Sequence, residues 1–192
     1  MKCPFENFYG KFEAIADTPE WARLQEDFNQ SEYIYVVGNG GNMAVASHAA
    51  ADVTRLTGKK TFCLDSQSLM TSFANDFGYD NIFARWLNFY AVDTDKKSMV
   101  LGYSGSGNSK NVLGALDWAH NQHNFSAHLF SGVKSLALSE GINEIVCDMH
   151  YFHTHEIMSV MTFYELVYGS GNECPTIRAE VNRKFGTINT DV

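Results

Sequence analysis

Three serines, Ser104, Ser106 and Ser109, are interleaved with Gly105, Gly107 and Asn108 directly after the apolar run 98–102 and directly before a helical pattern over 110–123. A strand that ends in glycines and hydroxyls at the start of a helix aims free backbone N–H groups, the positive end of the helix dipole and hydroxyl donors at one spot. Glycine lets the backbone approach an anion closely, and hydroxyls donate the hydrogen bonds that phosphate oxygens accept. These residues suit a phosphate monoester. Both Gly-x-x-x-x-Gly-Lys-Ser/Thr and Gly-x-Gly-x-x-Gly are missing from the chain, so no nucleotide cofactor is expected. Taken alone, the segment reads equally well as a polar strand-to-helix turn.

A second loop of the same kind favours the phosphate reading. Residues 33–37 read as a buried strand, Gly38, Asn39, Gly40, Gly41 and Asn42 as its turn, and 43–54 as an alanine-rich helix. Two strand, glycine-loop, helix units place two loops at the carboxyl edge of one parallel sheet, where open α/β folds bind ligands. Further strands are expected at 60–64, 99–102, 125–130 and 144–147. Helices are expected over 66–74, through Ile82, Phe83, Trp86, Leu87 and Tyr90, in a short stretch after Ser131 and Gly132, and last over about 154–168. Upstream, Phe5, Phe8, Tyr9, Phe12 and Ile15 recur at helical spacing, and Thr18-Pro19 opens a second helix carrying Trp21, Leu24 and Phe28. The expected fold class is α/β: a three-layer α/β/α sandwich with a central five-stranded parallel sheet and a helical N-terminal extension. One domain spans 1–192, with N-terminal helices over about 3–29, a core over about 30–168 and a polar tail over 169–192.

The formal net charge of −8 argues against nucleic acid or an anionic membrane as partner, because neither surface attracts such a chain at long range. A phosphorylated ligand still binds if the attraction is local. Hydrophobic content of 45% with 14% aromatic residues provides for an ordinary globular core. Cys3, Cys63, Cys147 and Cys174 are far apart without Cys-x-x-Cys, so neither a zinc ribbon nor a disulfide framework is indicated, and a cytoplasmic location is expected. No apolar run reaches the roughly 20 residues of a membrane span, and the start Met1-Lys2-Cys3-Pro4-Phe5-Glu6 lacks a secretory apolar region.

Gly38-Asn39-Gly40-Gly41-Asn42, Asn75-Asp76-Phe77-Gly78, Ser104-Gly105-Ser106-Gly107-Asn108-Ser109 and His155-Glu156, in that order and spacing, resemble a sugar isomerase (SIS) domain, and within it the phosphoheptose isomerases. The similarity covers roughly residues 30 to 168. It implies that Ser104, Ser106 and Ser109 hold a sugar phosphate, with Gly105 and Asn42 replacing a Thr and a Ser, and that Asn39, Gly40, Gly41, Asn75 and Asp76 lie near the sugar. It also implies a homotetramer with sites built across subunits.

In that family a His and a Glu sit one helical turn apart after the first glycine loop, and a Gln and a His sit two turns apart on the last helix. Here His48 matches the first His and Asp52 the Glu, still at i, i+4 on one helix face. His155 takes the Gln position, and the second His is Phe163, which can neither accept nor return a proton. Aldose–ketose interconversion through an enediol needs a base and a group that moves a proton between two oxygens. The expected catalytic residues are Asp52 and His155. Either an imidazole of the 150–155 cluster fills the vacated role, or His48, Asp52 and His155 hold one divalent metal, zinc, that polarises the carbonyl. The expected activity is that of a phosphosugar isomerase of the sedoheptulose 7-phosphate type. The alternative is a non-catalytic phosphosugar-binding or regulatory SIS protein.

Overall fold

The structure, a computed structural model, describes residues 6–92 and 95–186. Cys3 and Phe5, and with them the expected start of the first helix, lie outside the described residues, as does the end of the tail.

Helices α1 (Phe8–Ala16) and α2 (Pro19–Gln30) precede the sheet. Asn7 and Thr18 cap them, each side-chain oxygen accepting from a first-turn N–H, and Pro19 starts α2 where a missing N–H costs nothing. The core continues through β1 (Tyr33–Gly38), α3 (Gly41–Thr57), β2 (Lys60–Cys63), α4 (Gln67–Phe77) and α5 (Ile82–Tyr90). It then runs through β3 (Ser98–Ser104), α6 (Lys110–His120), β4 (Phe125–Ser131), β5 (Asn143–Val146) and α7 (Phe152–Gly169).

The five strands are all parallel in the order β2-β1-β3-β4-β5, with Tyr33 opposite both Lys60 and Ser98. Both faces of the sheet are covered, so the strands are apolar on both sides. Ile34, Val36, Met99 and Leu101 pack against α2, α3 and α7, whereas Tyr35, Val37 and Val100 pack against α4, α5 and α6. The expected three-layer sandwich is thus observed. β1 leads to α3 on one face and β3 to α6 on the other, so the chain's winding reverses between β1 and β3.

One local expectation fails. The stretch after Ser131 and Gly132 is irregular, because its backbone donors go to side chains: Leu136 N–H to Asn108 Oδ1 at 2.9 Å and Ser135 N–H to Glu144 Oε1 at 2.6 Å. The tail contains a helix, α8 (Ile177–Phe185), capped by the Thr176 hydroxyl, and it buries none of its residues. Among the described residues no helix is long and apolar enough to cross a membrane.

The N-terminal helices are tied to the core by polar groups. Lys11 donates to the carbonyl of Asp148, whose φ of 51° is left-handed, and Thr154 donates to Glu6. Asp27 of α2 lies 2.9 Å from Nε2 of the fully buried His128 on β4, and Asn143 of β5 lies 2.9 Å from its Nδ1. Burial pulls His128 below the ordinary histidine value of 6.5, against the opposing pull of Asp27. His155 on α7 is pulled down to about 4 by burial.

Both imidazoles are therefore neutral in the fold while an unfolded chain would take up protons at about pH 6.5. A lowered folded-state value means that stability is fully present above the unfolded value and is lost as pH falls. Urea unfolding at a series of pH values is expected to show stability declining from about pH 6.5 towards 4, with Asp27→Asn costing a further ~1–2 kcal/mol at neutral pH.

Candidate functional site

The reversal of winding opens a crevice between the carboxyl ends of β1 and β3, and both glycine loops line it. Asn39, Gly40, Gly41 and Asn42 form one wall, Ser104, Gly105, Ser106 and Ser109 the other, Tyr103 the floor, and Phe152 and Glu156 the rim, around a cleft of about 240 Å³. Gly40 has φ 57°, which only glycine adopts without strain, and its bend lets α3 start toward the cleft.

Neither α3 nor α6 has a side-chain cap at its N-terminus, as is also true of α5 and α7, whereas α1, α2, α4 and α8 are capped. In α3 the Asn42 and Met43 N–H groups donate to the Asn39 and Gly40 carbonyls, and in α6 the Val112 N–H donates to Asn111 Oδ1, so an anion meets the two helix dipoles and only the remaining first-turn N–H groups. Ser104 donates to Ser109 Oγ at 3.0 Å, and Ser106 Oγ accepts from Asn108 N–H at 3.2 Å. Lining the cleft there is neither Lys nor Arg, and the Glu156 carboxyl lies beside Gly41.

The two walls are joined by a reciprocal amide pair. Asn39 Nδ2 donates to Asn111 Oδ1 at 2.8 Å, and Asn111 Nδ2 donates back to Asn39 Oδ1 at 2.9 Å. Tyr79 adds a hydroxyl donor to Asn39 Oδ1 at 3.0 Å. Asn111 and Tyr79 were not anticipated from sequence. The only trace of Asn111 there is an amide in the first turn after a serine loop, where a polar residue is ordinary.

Asn75 and Asp76 do not line the cleft. They are exposed, and Asn75 Nδ2 donates to Asp76 Oδ1 at 2.8 Å. The expectation that they approach the sugar is not met within the chain, since it is Tyr79, just beyond them, that reaches Asn39.

His155 lies under the cleft, 1% exposed, with Nδ1 3.4 Å from Asn42 Nδ2 and its ring against Phe130 and Gly132. Its ring is buried within its own chain. His48 and Asp52 are elsewhere. Asp52 lies eleven positions beyond Gly41 on α3, about 16 Å along the axis at about 1.5 Å per residue. His48 packs edge-on against Phe163, eight positions beyond His155 on α7 and so about 12 Å from it along that axis.

The Asp52 cluster is complete without His155. Asp52 Oδ2 accepts from the Tyr164 hydroxyl at 2.6 Å and lies 3.2 Å from His48 Nε2, while Oδ1 accepts from Arg55 at 3.1 Å. Burial opposes the Asp52 charge, but Tyr164, Arg55 and His48 outweigh it and hold the carboxyl below its usual range. Burial and the Asp52 carboxylate together push the Tyr164 phenol up to about 12. Tyr164, next to Phe163 in the chain, supplies a hydroxyl that no local sequence pattern marks.

Within one chain the three residues of the expected zinc set, His48, Asp52 and His155, do not converge. Metal ligands must converge to about 2 Å from one point, whereas His155 is separated from the His48–Asp52 pair by more than two helical turns. Among the described residues no group of three or more His, Cys, Asp or Glu side chains converges on a metal position.

No protein-family model matches the chain. It is 36% identical over 122 residues to phosphoheptose isomerase of Helicobacter pylori (strain Shi470), covering 60% of this chain and 57% of that protein. It is 37% identical over 111 residues to phosphoheptose isomerase 2 of Campylobacter jejuni, covering 55% and 53%. The chain thus spans little more than half the length of the curated relatives it matches. Among solved structures, phosphoheptose isomerase GmhA from Neisseria gonorrhoeae superimposes with a TM-score of 0.69 at 20% identity, over 85% of this chain and 91% of that one. The Vibrio vulnificus NanR protein complexed with ManNAc-6P gives 0.59 at 18% identity, over 85% and 58%. The chain is thus similar in sequence to phosphoheptose isomerases over little more than half its length, and it shares the fold of these solved structures.

A cleft built from neutral donors is expected to bind phosphate through Ser106 and Ser109. In calorimetric titration with inorganic phosphate, Ser106→Ala and Ser109→Ala should each weaken binding by about tenfold, the loss of one hydrogen bond to a charged group.

Proposed function

We propose that the chain is a phosphosugar isomerase, interconverting a ketose phosphate and an aldose phosphate, with sedoheptulose 7-phosphate as its substrate type. The observation that carries this reading is the pairing of two uncapped helix N-termini with three serine hydroxyls, in a chain that also keeps a His and a carboxylate hydrogen-bonded on one helix face. The relationship to phosphoheptose isomerases supports it.

Phosphate sits against Ser104, Ser106 and Ser109 and the first turns of α3 and α6. The axial distance from that cradle to Asp52, about 16 Å, exceeds the reach of an extended seven-carbon sugar phosphate. The reacting carbons therefore meet His48 and Asp52 of a second copy, in keeping with the tetramer that the resemblance implies.

Asp52, ionised at neutral pH, takes a proton from C1 of the open-chain ketose. The released electron pair forms the C1=C2 bond as the C2 oxygen gains a proton, giving the enediol. Loss of the O1 proton then forms the C1 carbonyl while C2 receives a proton, and the aldose results. His48, half-exposed beside Asp52, moves the proton between the two oxygens. Tyr164 holds Asp52 in place by its 2.6 Å hydrogen bond and brings its hydroxyl to 3.2 Å from His48 Nε2. No step uses a metal.

A second reading, phosphosugar binding without turnover, is favoured by Phe163, whose ring lies against His48 where a proton donor would be needed. The two readings separate in one assay. Incubation with sedoheptulose 7-phosphate is expected to yield the aldose phosphate, and Asp52→Asn to lower kcat by about 100-fold or more with unchanged phosphate affinity. Binding with no conversion in the wild-type chain selects the second reading.

A further inference from the structure

Phe152 opens α7 with its side chain 71% exposed, although the adjacent cleft is polar. Its ring borders the phosphate cradle on one side and, on the other, a cavity of about 250 Å³ lined by Val133, Met149, Tyr151 and His155. It lies directly against the phosphate loop. A Cβ built on Gly105 would stand 2.9 Å from Phe152 Cδ1, too close unless the ring shifts, and a tight 3.2 Å from Cε1. Glycine at position 105 and the ring at position 152 therefore belong together: the loop is bare where the ring rests.

A phosphate held by Ser104, Ser106 and Ser109 must project its ester oxygen and first carbons out of the cleft, past Gly105 and the rim. There they meet an aromatic face. The C–H bonds of a sugar carry partial positive charge and match the negative face of an aromatic ring, and a closed sugar ring presents several of them in one plane. An acyclic chain presents them only after losing conformational freedom.

We propose that Phe152 is the stacking platform for the sugar, so that the cradle selects cyclic sugar phosphates over acyclic phosphate esters of equal charge. The proposal rests on the phosphosugar reading above and concerns binding alone; the bound ring opens afterwards for the reaction.

The test is calorimetric titration of the whole chain and its variants with sedoheptulose 7-phosphate, glycerol 3-phosphate and inorganic phosphate. Phe152→Ala is expected to weaken the sugar phosphate about three- to tenfold, the range of an aromatic contact, and to leave the other two ligands within about twofold. Phe152→Leu, which keeps apolar volume without a π face, should behave as Phe152→Ala, and Phe152→Tyr should retain the wild-type preference. Gly105→Ala, by pushing the ring aside, should weaken the sugar phosphate in the wild-type background and add nothing to Phe152→Ala.

Equal losses for all three ligands would make the ring a structural part of the phosphate loop and overturn the proposal. So would unchanged affinities accompanied by a shift of oligomeric state on size exclusion, which would assign the ring to a subunit contact. Failure of the wild-type chain to bind any phosphate ligand overturns this inference together with the phosphosugar reading. Sugar binding that depends on Phe152 without turnover removes only the isomerase assignment.

Discussion

The site depends on the reversal of winding between β1 and β3. In a parallel sheet each strand must be followed by a crossover, and here the crossover from β1 runs through α3 on one face while that from β3 runs through α6 on the other. Only at such a point do two neighbouring strands send their helices apart, leaving a crevice that neither covers. Two helix N-termini open onto it from opposite faces. The Asn39–Asn111 pair then bridges the crevice, and Asn39 Oδ1 supplies the acceptor for the Nδ2 of the buried Asn111.

The electrostatics of the cleft are unusual for an anion site in an acidic chain. No cationic side chain lines it, and the Glu156 carboxyl lies beside the first turn of α3. Attraction for phosphate must come from helix dipoles, backbone N–H groups and hydroxyls, which act over short distances and are undiminished by net charge. Such a site favours a ligand that fits closely over one that is merely charged. An aromatic rim beside the loop is consistent with that selectivity.

Helix α3 also acts as a ruler. Its first turn serves the cradle, while His48 and Asp52 lie two to three turns further on, among Phe163, Tyr164 and Arg55. The separation divides the residues of the expected site into two groups that one chain cannot apply to one small ligand. It also explains why His155, in the correct sequence position next to a glutamate, is a buried neutral support for Asn42 and not a partner of Asp52.

Much of the fold was legible in the sequence. The continuous apolar run Ile34, Tyr35, Val36 and Val37, the helical spacing of Trp21, Leu24 and Phe28, and the glycine loops are local patterns, and local patterns determine strands, helices and turns. The serine loop belongs to this class, since its donors lie within six consecutive residues. The irregular 132–142 stretch was not legible, because Asn108 and Glu144, which hold it, are distant in sequence. The same holds for Asn111, Tyr79, Tyr164 and Phe152, and for the separation of Asp52 from His155. Their neighbours are set by which helices pack together and in what register, and sequence spacing measures distance along one helix but never between two. The sequence by itself thus determined the elements and the serine loop. Only the packing of α3 and α7 on the sheet decided which of the remaining polar groups meet.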